Sequence, residues 1–287
     1  MARLIRALAI SAALLLGFAP SARSDADAHL LMGNPSQATA DPRDRDNFLI
    51  KKPYFALSYH NSKGTPNWVS WRLTRDDLGD ARRVPFYPDE QLPRGFKRVL
   101  PRDYTGSGFD RSHMCPHSDR GGTSEASAAT FAMTNIVPQS GPLNQKAWNS
   151  LEIYCRGLVE KEGKRLYIVC GPQGTGGVGT KGPADTIARG KVNVPAKCWK
   201  IILVLPEDGG ENDMAKVTKR TRVIAVVMPN DQEVGFGWAH FRTSVKKVEE
   251  LTGYTFFDKV PADIAGALKE KVDEVHIPRV RPPRRPR

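Results

Sequence analysis

Two short segments of the chain hold residue types that can move protons and hold anions. The first segment begins at Phe109 and ends at Arg120, and it contains Asp110, Arg111 and His113. A histidine can take a proton from water near neutral pH, and an arginine can hold a phosphate through two parallel hydrogen bonds. This pattern indicates acid–base chemistry on a phosphate. The alternative is that Asp110 and Arg111 form a structural ion pair, with His113 in a turn.

A metal site is a further alternative for the same segment. His113, Cys115 and His117 alternate along the chain, and residues at i, i+2 and i+4 share one face of a strand. Imidazole and thiolate groups are ligands that zinc prefers. Pro116 lies within this run and weakens the strand that such an arrangement would need.

The second segment, from Thr134 to Glu152, ends in a predicted helix that begins near Asn144. Trp148, Glu152 and Arg156 follow at steps of four, each of which rotates about 40° around a helix. Asn144, Glu152 and Arg156 therefore lie along one flank, and the N-terminal end of a helix favours an anion nearby. An amide oxygen, a carboxylate and a guanidinium on one edge suit a hydrated Mg²⁺ that holds a phosphodiester. Alternatively, Asn144 is a helix cap and Glu152 pairs with Arg156 on a solvated face.

The elements that must position these segments follow from the spacing of apolar residues. Alternation and short apolar runs predict strands at 54–59, 68–73, 131–137, 165–170, 198–205 and 223–228. Helical spacing predicts helices at 144–159, 244–251 and 263–272, with Ser244 as the N-cap of the second. Residues 25–50 are predicted to be a polar arm, and 75–108 and 174–182 to be loops. Strands and helices follow one another without a regular rhythm, which favours one α+β domain over roughly 30–275.

The N-terminus has the pattern of a signal peptide over residues 1–24. Arg3 and Arg6 precede an uncharged, mainly apolar stretch at 7–18, and small residues suit cleavage after Ser24. The stretch is too short to span a bilayer comfortably. A mitochondrial transit peptide is the alternative, but contiguous rather than periodic apolar residues favour secretion or export to the periplasm.

The chain of 287 residues has a net charge of +12, which favours a polyanionic partner. Five arginines in the tail at 279–287 carry a large share of this charge. The tail is also rich in proline and is predicted to be disordered, so residues 25–278 are predicted to form the folded domain. Hydrophobic residues make up 40% of the chain, which is enough for a real core.

The cysteine and serine patterns argue against two other classes of protein. The four cysteines are Cys115, Cys155, Cys170 and Cys198. In an exported protein they permit two disulfides, and buried free thiols are the alternative. The sequence has no CxxC pair, which argues against a structural zinc module. It has no Gly-x-Ser-x-Gly motif either, which argues against a Ser–His–Asp hydrolase.

Taken together, the two segments resemble the DNA/RNA non-specific endonuclease family, the ββα-metal group of Serratia-type secreted nucleases and endonuclease G. The resemblance lies in Asp-Arg-Ser-His-Met-Cys-Pro at 110–116, Thr-Asn-Ile-Val-Pro-Gln at 134–139 and Leu-Asn-Gln-x-x-Trp-x-x-Leu-Glu at 143–152. The family signature is Asp-Arg-Gly-His with an asparagine-bearing helix farther along, and here Asn144 lies 31 positions after His113. Weaker similarities extend in order over roughly 30–260.

This resemblance implies a ββα-metal nuclease fold, in which helices flank a central, mainly antiparallel sheet. It implies a single Mg²⁺, or Mn²⁺ in its place, with Asn144 as the one direct protein ligand. His113 is similar to the family's general base, and Glu152 to a carboxylate that holds a water on the metal. Arg111 is similar to the phosphate-contacting arginine of the signature, and Arg156 to one that stabilises the pentacovalent phosphate.

The implied function is hydrolysis of both DNA and RNA by an exported, sugar-non-specific endonuclease that leaves 5′-phosphate ends. Arg83 is similar to an upstream substrate-binding arginine of the family. The alternative is an exported protein of the same fold that binds polyanions without catalysis. Two positions depart from the family pattern. Ser112 stands where glycine is usual, which costs about 1 kcal/mol if that backbone has a positive φ, and Cys115 stands where a small apolar residue is common.

Overall fold

The computed structural model describes residues 25–207 and 212–277. The predicted signal peptide at 1–24 and the predicted basic tail at 279–287 lie outside these residues. Within the described ranges, none of the helices combines the length and the apolar character that crossing a membrane would require.

The described residues form thirteen β-strands and five α-helices. The strands are β1 (Phe48–Lys51), β2 (Ala56–His60), β3 (Thr65–Leu73), β4 (Asp110–His113), β5 (Ile136–Gln139), β6 (Lys164–Gln173), β7 (Gly177–Gly179), β8 (Gly182–Ala184), β9 (Thr186–Ile187), β10 (Val192–Asn193), β11 (Lys197–Pro206), β12 (Arg222–Pro229) and β13 (Arg242–Thr243). The helices are α1 (Asp25–Ala28), α2 (Ser124–Ala129), α3 (Asn149–Glu162), α4 (Val245–Thr252) and α5 (Ala262–Lys269).

The main sheet has seven strands in the order β1-β2-β3-β6-β11-β12-β13, and each strand is antiparallel to its neighbours. The sequence of β11 explains its inner position. Successive residues point to opposite faces of a strand, so Trp199 and Ile201 belong to one core and Cys198 and Ile202 to the other. Because both sets are apolar and buried, this strand needs cover on both faces.

Two layers of side chains cover the main sheet. On one face the core contains Trp71 of β3, Leu151 of α3 and Trp148, the residue just before α3. On the other face the core contains Trp199 and Phe256 with residues of α4 and α5. The predicted α+β fold, a mainly antiparallel sheet flanked by helices, is confirmed.

Strands β4 and β5 form a separate antiparallel ribbon, in which Ser112 lies opposite Val137 and His113 opposite Ile136. Val137 belongs to the same core cluster as Leu151 of α3. The ribbon and α3 therefore lie on the same face of the main sheet, and together they form a ββα unit.

The predicted strand at 131–137 is wrong in its first part. Ala132 makes only an isolated bridge to Tyr87, Met133–Asn135 form a short 3-10 helix, and β5 begins only at Ile136. The Asn135 amide explains the break, because it donates to the backbone carbonyls of Cys115 and Thr130 and accepts from the Cys115 N–H. The bonds to Cys115 hold Asn135 against the first segment, next to the point where the β4–β5 ladder begins.

The predicted polar arm at 25–50 contains a strand that the sequence pattern did not predict. Strand β1 pairs with β2, with Phe48 opposite Tyr59 and Ile50 opposite Leu57. Only two of its residues, Phe48 and Ile50, are buried, which is too few for a periodic pattern among polar neighbours. Strand β7 likewise lies within the predicted glycine-rich loop, where it pairs with β8.

The two C-terminal helices were predicted with small errors at their ends. The Ser244 hydroxyl accepts from the Lys247 N–H, which confirms Ser244 as the N-cap of α4. Helix α5 ends at Lys269, three residues before the predicted end at 272. Helix ends are set by local hydrogen bonds that apolar spacing does not reveal.

All four cysteines are buried free thiols. Burial raises the pKa of Cys155 and the pKa of Cys198 to about 12, so both thiols stay protonated. Of the two alternatives for the cysteines, buried free thiols are therefore the one found. Cys115 packs in the core with Val137 and Leu151, in agreement with a small apolar residue at that position.

Candidate active site

One polar cavity brings together the residues of the two sequence segments and the upstream arginine. Its volume is about 270 Å³, and all six predicted site residues line it: Arg83, Arg111, His113, Asn144, Glu152 and Arg156. Five other residues complete the lining: Pro116, His117, Ser118, Gln145 and Asn149. Three guanidinium groups against one carboxylate make the cavity positive, which suits an anionic ligand.

Strand β4 sends its four side chains in two directions because side chains alternate along a strand. Arg111 and His113 line the cavity. Asp110 and Ser112 point the other way, and both bond to Asn144. One short strand thus presents groups to the cavity and also holds the helical segment beside it. Asp110 is bonded to an amide rather than to Arg111, so the ion-pair alternative is wrong.

His113 lines the cavity and packs against two aromatic rings behind it. Its ring centroid is 4.8 Å from that of Phe131, nearly at a right angle, and 5.2 Å from that of Phe86. Burial, reinforced by the positive charge of Arg83, lowers the pKa of His113 to about 3. Its Nε2 atom is buried and has no hydrogen-bond partner among the described residues. The imidazole is therefore neutral at physiological pH, with a ring nitrogen that no described protein group occupies.

Two arginines of the cavity lie over these same aromatic rings. The guanidinium carbon of Arg83 is 5.3 Å from the ring centroid of Phe131, and that of Arg111 is 5.6 Å from the ring centroid of Phe86. The Nε of Arg111 also donates to the Pro101 carbonyl at 3.0 Å. Because an arginine has five N–H donors, these contacts orient the side chains and leave donors for an anion.

The helical segment that carries Asn144 begins at 141–142 and then makes π-helical turns before α3. They extend over Leu143–Trp148, and α3 continues from Asn149. A π-helical turn takes up an extra residue, so Trp148 is buried in the core while Asn149 joins Asn144 at the cavity. The predicted α-helical geometry is therefore wrong between Asn144 and Trp148, although Asn144, Glu152 and Arg156 line the same cavity, as a common flank requires. The predicted position of Asn144, at the N-terminal end of the helix, is confirmed.

Two partners on β4 fix the side-chain amide of Asn144. Its Nδ2 donates to Asp110 Oδ2 at 2.9 Å, and its Oδ1 accepts from the Ser112 hydroxyl at 2.8 Å. Because only the nitrogen can donate, the bond to Asp110 decides which way the amide is turned. The alternative role of Asn144 as a helix cap is wrong, because the helix already begins at 141–142 and the Ser140 hydroxyl accepts from the Leu143 N–H.

Glu152 is paired with a buried lysine from the middle of the main sheet. Lys200 Nζ lies 3.4 Å from Glu152 Oε1, and the lysine side chain is 1% exposed. The ammonium also lies 4.1 Å from the ring centroid of Trp148, whose face attracts a cation. Burial raises the pKa of Glu152, and the positive charge of Lys200 opposes this rise. Glu152 therefore pairs with Lys200 rather than with Arg156, contrary to the salt-bridge alternative.

A carboxylate from the first segment holds Arg156. The Nη1 of Arg156 donates to Asp119 Oδ1 at 2.9 Å, and Asp119 Oδ2 accepts from Trp71 Nε1 at 3.1 Å. Asp119 is 1% exposed, so it cannot move freely and fixes the guanidinium in turn. The remaining N–H groups of Arg156 are then available at the cavity.

The alternative metal site at His113, Cys115 and His117 is wrong. Cys115 is fully buried in the core, whereas the two histidines line the cavity. Among residues 25–207 and 212–277, no three His, Cys, Asp or Glu side chains are grouped so that they could hold a metal ion.

The oxygen atoms at the cavity fit a hard divalent cation. Asn144 offers an amide oxygen that keeps one lone pair after the bond from Ser112, and Glu152 offers a carboxylate. Mg²⁺ prefers oxygen ligands and keeps several of its waters, so it needs few protein ligands. A water occupies about 30 Å³ in the liquid, so the cavity has room for a cation with several waters.

Sequence reasoning did not find every residue that supports the site. Asp119 and Lys200 lie 37 and 48 positions away from the residues they hold, so no local spacing reveals them. Asn149 could have been found, because Asn149, Glu152 and Arg156 follow one another at steps of three and four on one helix face.

Both the sequence and the fold match known proteins over most of the chain. The sequence model of the DNA/RNA non-specific endonuclease family matches residues 33–263. A nuclease from Nostoc sp. is 48% identical over 246 residues, which cover 85% of this chain and 86% of that protein. The mitochondrial nuclease EXOG of Mus musculus is 36% identical over 214 residues, which cover 71% of this chain and 55% of that protein. A chain in the crystal structure of the EndoG/EndoGI complex has a TM-score of 0.67 and 25% identity, and the match covers 83% of this chain and 94% of that chain.

The family match includes both segments that line the cavity and the ββα unit formed by β4, β5 and α3. The Nostoc protein is similar along most of its length, whereas this chain spans about half the length of the mitochondrial relative. The resemblance stated from the two sequence segments is confirmed. The chain belongs to the DNA/RNA non-specific endonuclease family, has its ββα-metal fold and is an endonuclease that hydrolyses nucleic acid.

Proposed function

We propose that the protein hydrolyses DNA and RNA without sequence specificity, uses one Mg²⁺ ion and leaves 5′-phosphate ends, with His113 as the general base. One observation carries this proposal: a neutral imidazole and the fixed amide oxygen of Asn144 share a cavity with three arginines. The imidazole can accept a proton, the amide oxygen can bind a hard cation, and the guanidinium groups can hold a phosphate. Mn²⁺ is the alternative cation.

His113 accepts the proton of the attacking water. The lowered pKa keeps the ring unprotonated before the reaction, so the base is in its active form. Phe86 and Phe131 pack against the ring and hold it in place. Bound at Asn144, the cation would polarise the phosphate and offset charge on the leaving oxygen.

The charged side chains of the cavity act on the phosphate and on the waters around it. Arg111 and Arg156 offset the negative charge that grows on the phosphate in the transition state. Arg83 holds an adjacent part of the nucleic acid. Glu152, held by Lys200, accepts hydrogen bonds from waters beside Asn144. Each of these groups is already oriented by a protein partner, which reduces the cost of reorganisation during the reaction.

Low sequence specificity follows from the kind of group that lines the cavity. Guanidinium groups contact phosphate oxygens, which every nucleotide presents, and such contacts carry no sequence information. The nucleophile is water rather than a ribose 2′-hydroxyl, so DNA and RNA are both substrates.

We also propose that the enzyme is exported, to the periplasm or out of the cell. The sequence of residues 1–24 supports this, because it has the basic start, apolar stretch and small residues of a signal peptide. N-terminal sequencing of the protein from periplasm and culture medium tests the proposal. A mature chain that begins near Asp25 is expected, and an uncleaved chain inside the cell would contradict it.

The experiment that tests the proposed function compares one protein on two substrates. The chain without residues 1–24 is incubated with supercoiled plasmid and with RNA, in Mg²⁺ and in EDTA. We expect both nucleic acids to be degraded in Mg²⁺, because the cavity offers phosphate contacts rather than base contacts. We expect neither to be degraded in EDTA, because EDTA removes the cation. Degradation of only one of them would reject the lack of sugar specificity. Tight binding without cleavage under any divalent cation would support the alternative, a protein that only binds polyanions.

A further inference from the structure

Ser112 stands at the position where the family signature has glycine. The residue lies in extended strand β4 and is not among the residues with a positive φ, so the conformational freedom of glycine is not needed here. Its side chain is buried, and its hydroxyl lies 2.8 Å from Asn144 Oδ1. A glycine would offer no group to that oxygen, so this hydrogen bond belongs to the serine alone.

The Ser112 hydroxyl has one hydrogen but lies 2.8 Å from two amide groups, Oδ1 of Asn144 and Oε1 of Gln139. The Gln139 amide can be turned over without a change of shape, which places Nε2 rather than Oε1 against Ser112. As placed, this Nε2 donates to no nitrogen or oxygen among the described residues and lies beside the Cys198 thiol. When it donates to Ser112, the single hydrogen of Ser112 is left for Asn144. The donors then run in one direction, from Gln139 through Ser112 to Asn144.

We propose that Ser112 is a positioning residue for the catalytic cation: its hydroxyl, together with Asp110, holds Asn144 Oδ1 in place at the cavity. The inference rests on the proposed function, because it takes Asn144 as the metal ligand. The bond to Asp110 decides which end of the amide is the oxygen but still lets the side chain swing about that contact. A second bond, made to the oxygen itself by a buried strand residue, removes this freedom. The amide oxygen has two lone pairs, so one stays open to the cation.

Ser112→Ala removes the hydroxyl and leaves Asn144 and Asp110 unchanged. Partners that orient a metal ligand typically contribute about 10–100-fold to metal affinity. We expect the lower end of this range, about tenfold weaker binding, because Asp110 still holds the amide. The measurement is Mn²⁺ binding without nucleic acid, followed by electron paramagnetic resonance. In a cleavage assay the half-saturating Mg²⁺ concentration should rise by a similar factor, with turnover at saturating Mg²⁺ close to that of the wild type.

Ser58→Ala is the matched control. Ser58 is also a buried strand serine, and its hydroxyl donates to Asn47 Oδ1 at 2.8 Å. Neither of these two residues lines the cavity, so metal affinity should be unchanged. Ser112→Gly is a second variant that keeps the test decisive if the alanine variant folds poorly, because glycine is the usual family residue there. It should weaken Mn²⁺ binding as much as Ser112→Ala does.

Three results would overturn the inference. Unchanged or tighter Mn²⁺ binding in both Ser112 variants, with a normal wild type, would remove the role of Ser112 and leave the proposed function intact. Equal weakening by Ser58→Ala would show a general loss of stability instead of a positioned ligand. A wild-type protein that neither binds Mn²⁺ nor cleaves in Mg²⁺ would overturn the proposed function, and this inference with it.

Discussion

Replacing His113 with alanine is expected to lower turnover on DNA and RNA by about 10²–10⁴-fold or more, with nucleic-acid binding retained. The imidazole is neutral and lines the cavity, so its removal takes away the group proposed to accept the proton of the attacking water. The arginines that hold phosphate remain, so affinity should survive. Single-turnover cleavage and filter binding of the same oligonucleotide measure the two quantities separately.

His117→Ala is the control for this variant, because it removes another imidazole from the same cavity. The ring centroids of His113 and His117 are 6.2 Å apart, and no role in the reaction is assigned to His117. A much smaller loss is expected from it. Near-normal turnover in His113→Ala, or equal losses in the two variants, would contradict the assignment of the base.

The pH dependence of the wild type gives a second readout for His113. Burial lowers the pKa of His113 to about 3 from an ordinary value of 6.5. The base works in its unprotonated form, so activity is lost only as the pH falls through that pKa. The acid limb of kcat/KM should therefore lie below pH 6.5, the ordinary histidine value, and the residual activity of His113→Ala should lack it. An acid limb above pH 6.5 would mean that the pKa of His113 in the free enzyme is raised rather than lowered, and would contradict the prediction.

Replacing Asn144 with alanine is the second change with a large expected effect. The variant should lose about 10²-fold or more in Mg²⁺-dependent turnover, since a metal ion contributes several kcal/mol to transition-state stabilisation and 1.36 kcal/mol corresponds to a tenfold change in rate. Asn144 Oδ1 is the amide oxygen that Asp110 and Ser112 hold in place at the cavity. Mn²⁺ binding without substrate should fall in parallel. Both are measured on the same preparation, with thermal unfolding as the check on folding.

Gln145→Ala is the matched control for Asn144→Ala. Gln145 follows Asn144 in the chain and lines the same cavity. Its side-chain amide donates to the same Asp110 Oδ2 at 2.8 Å. Its loss should leave Asn144 in place, and turnover should fall only slightly. Asn144→Asp should also be impaired, because it sets a carboxylate oxygen 2.9 Å from Asp110 Oδ2 where a donor now stands. Metal-dependent turnover that survives in Asn144→Ala would contradict its role as the ligand.

The long strands and helices could be predicted from the sequence because their patterns are local. Strands β6 and β11 each contain a run of apolar residues, and α4 carries its own N-cap in Ser244. Strand β1 could not, because its two core residues become informative only opposite Tyr59 and Leu57 of β2. The start of β5 is likewise set by distant partners, the backbone groups that Asn135 bonds.

The site could be predicted as a set of residues but not as an arrangement. All six candidates line one cavity, since the family pattern fixes which residue types stand at which positions. The supports of the site come from elsewhere in the chain: Lys200 from the main sheet beneath Glu152, and Asp119 beneath Arg156. The extra residue in the π-helical turns at 143–148 also has no signature in apolar spacing, because core packing decides which way Trp148 points.

The chemical identity of the product ends tests most directly whether a water activated by His113 attacks the phosphate and the 3′ oxygen leaves. DNA and RNA oligonucleotides are cleaved in Mg²⁺, and their ends are identified by mass spectrometry. We expect 5′-phosphate and 3′-hydroxyl ends on both nucleic acids, because the same cavity serves both. 5′-Hydroxyl ends, or a 2′,3′-cyclic phosphate on RNA, would show that a different oxygen leaves or that the ribose itself attacks, and would contradict the proposed mechanism.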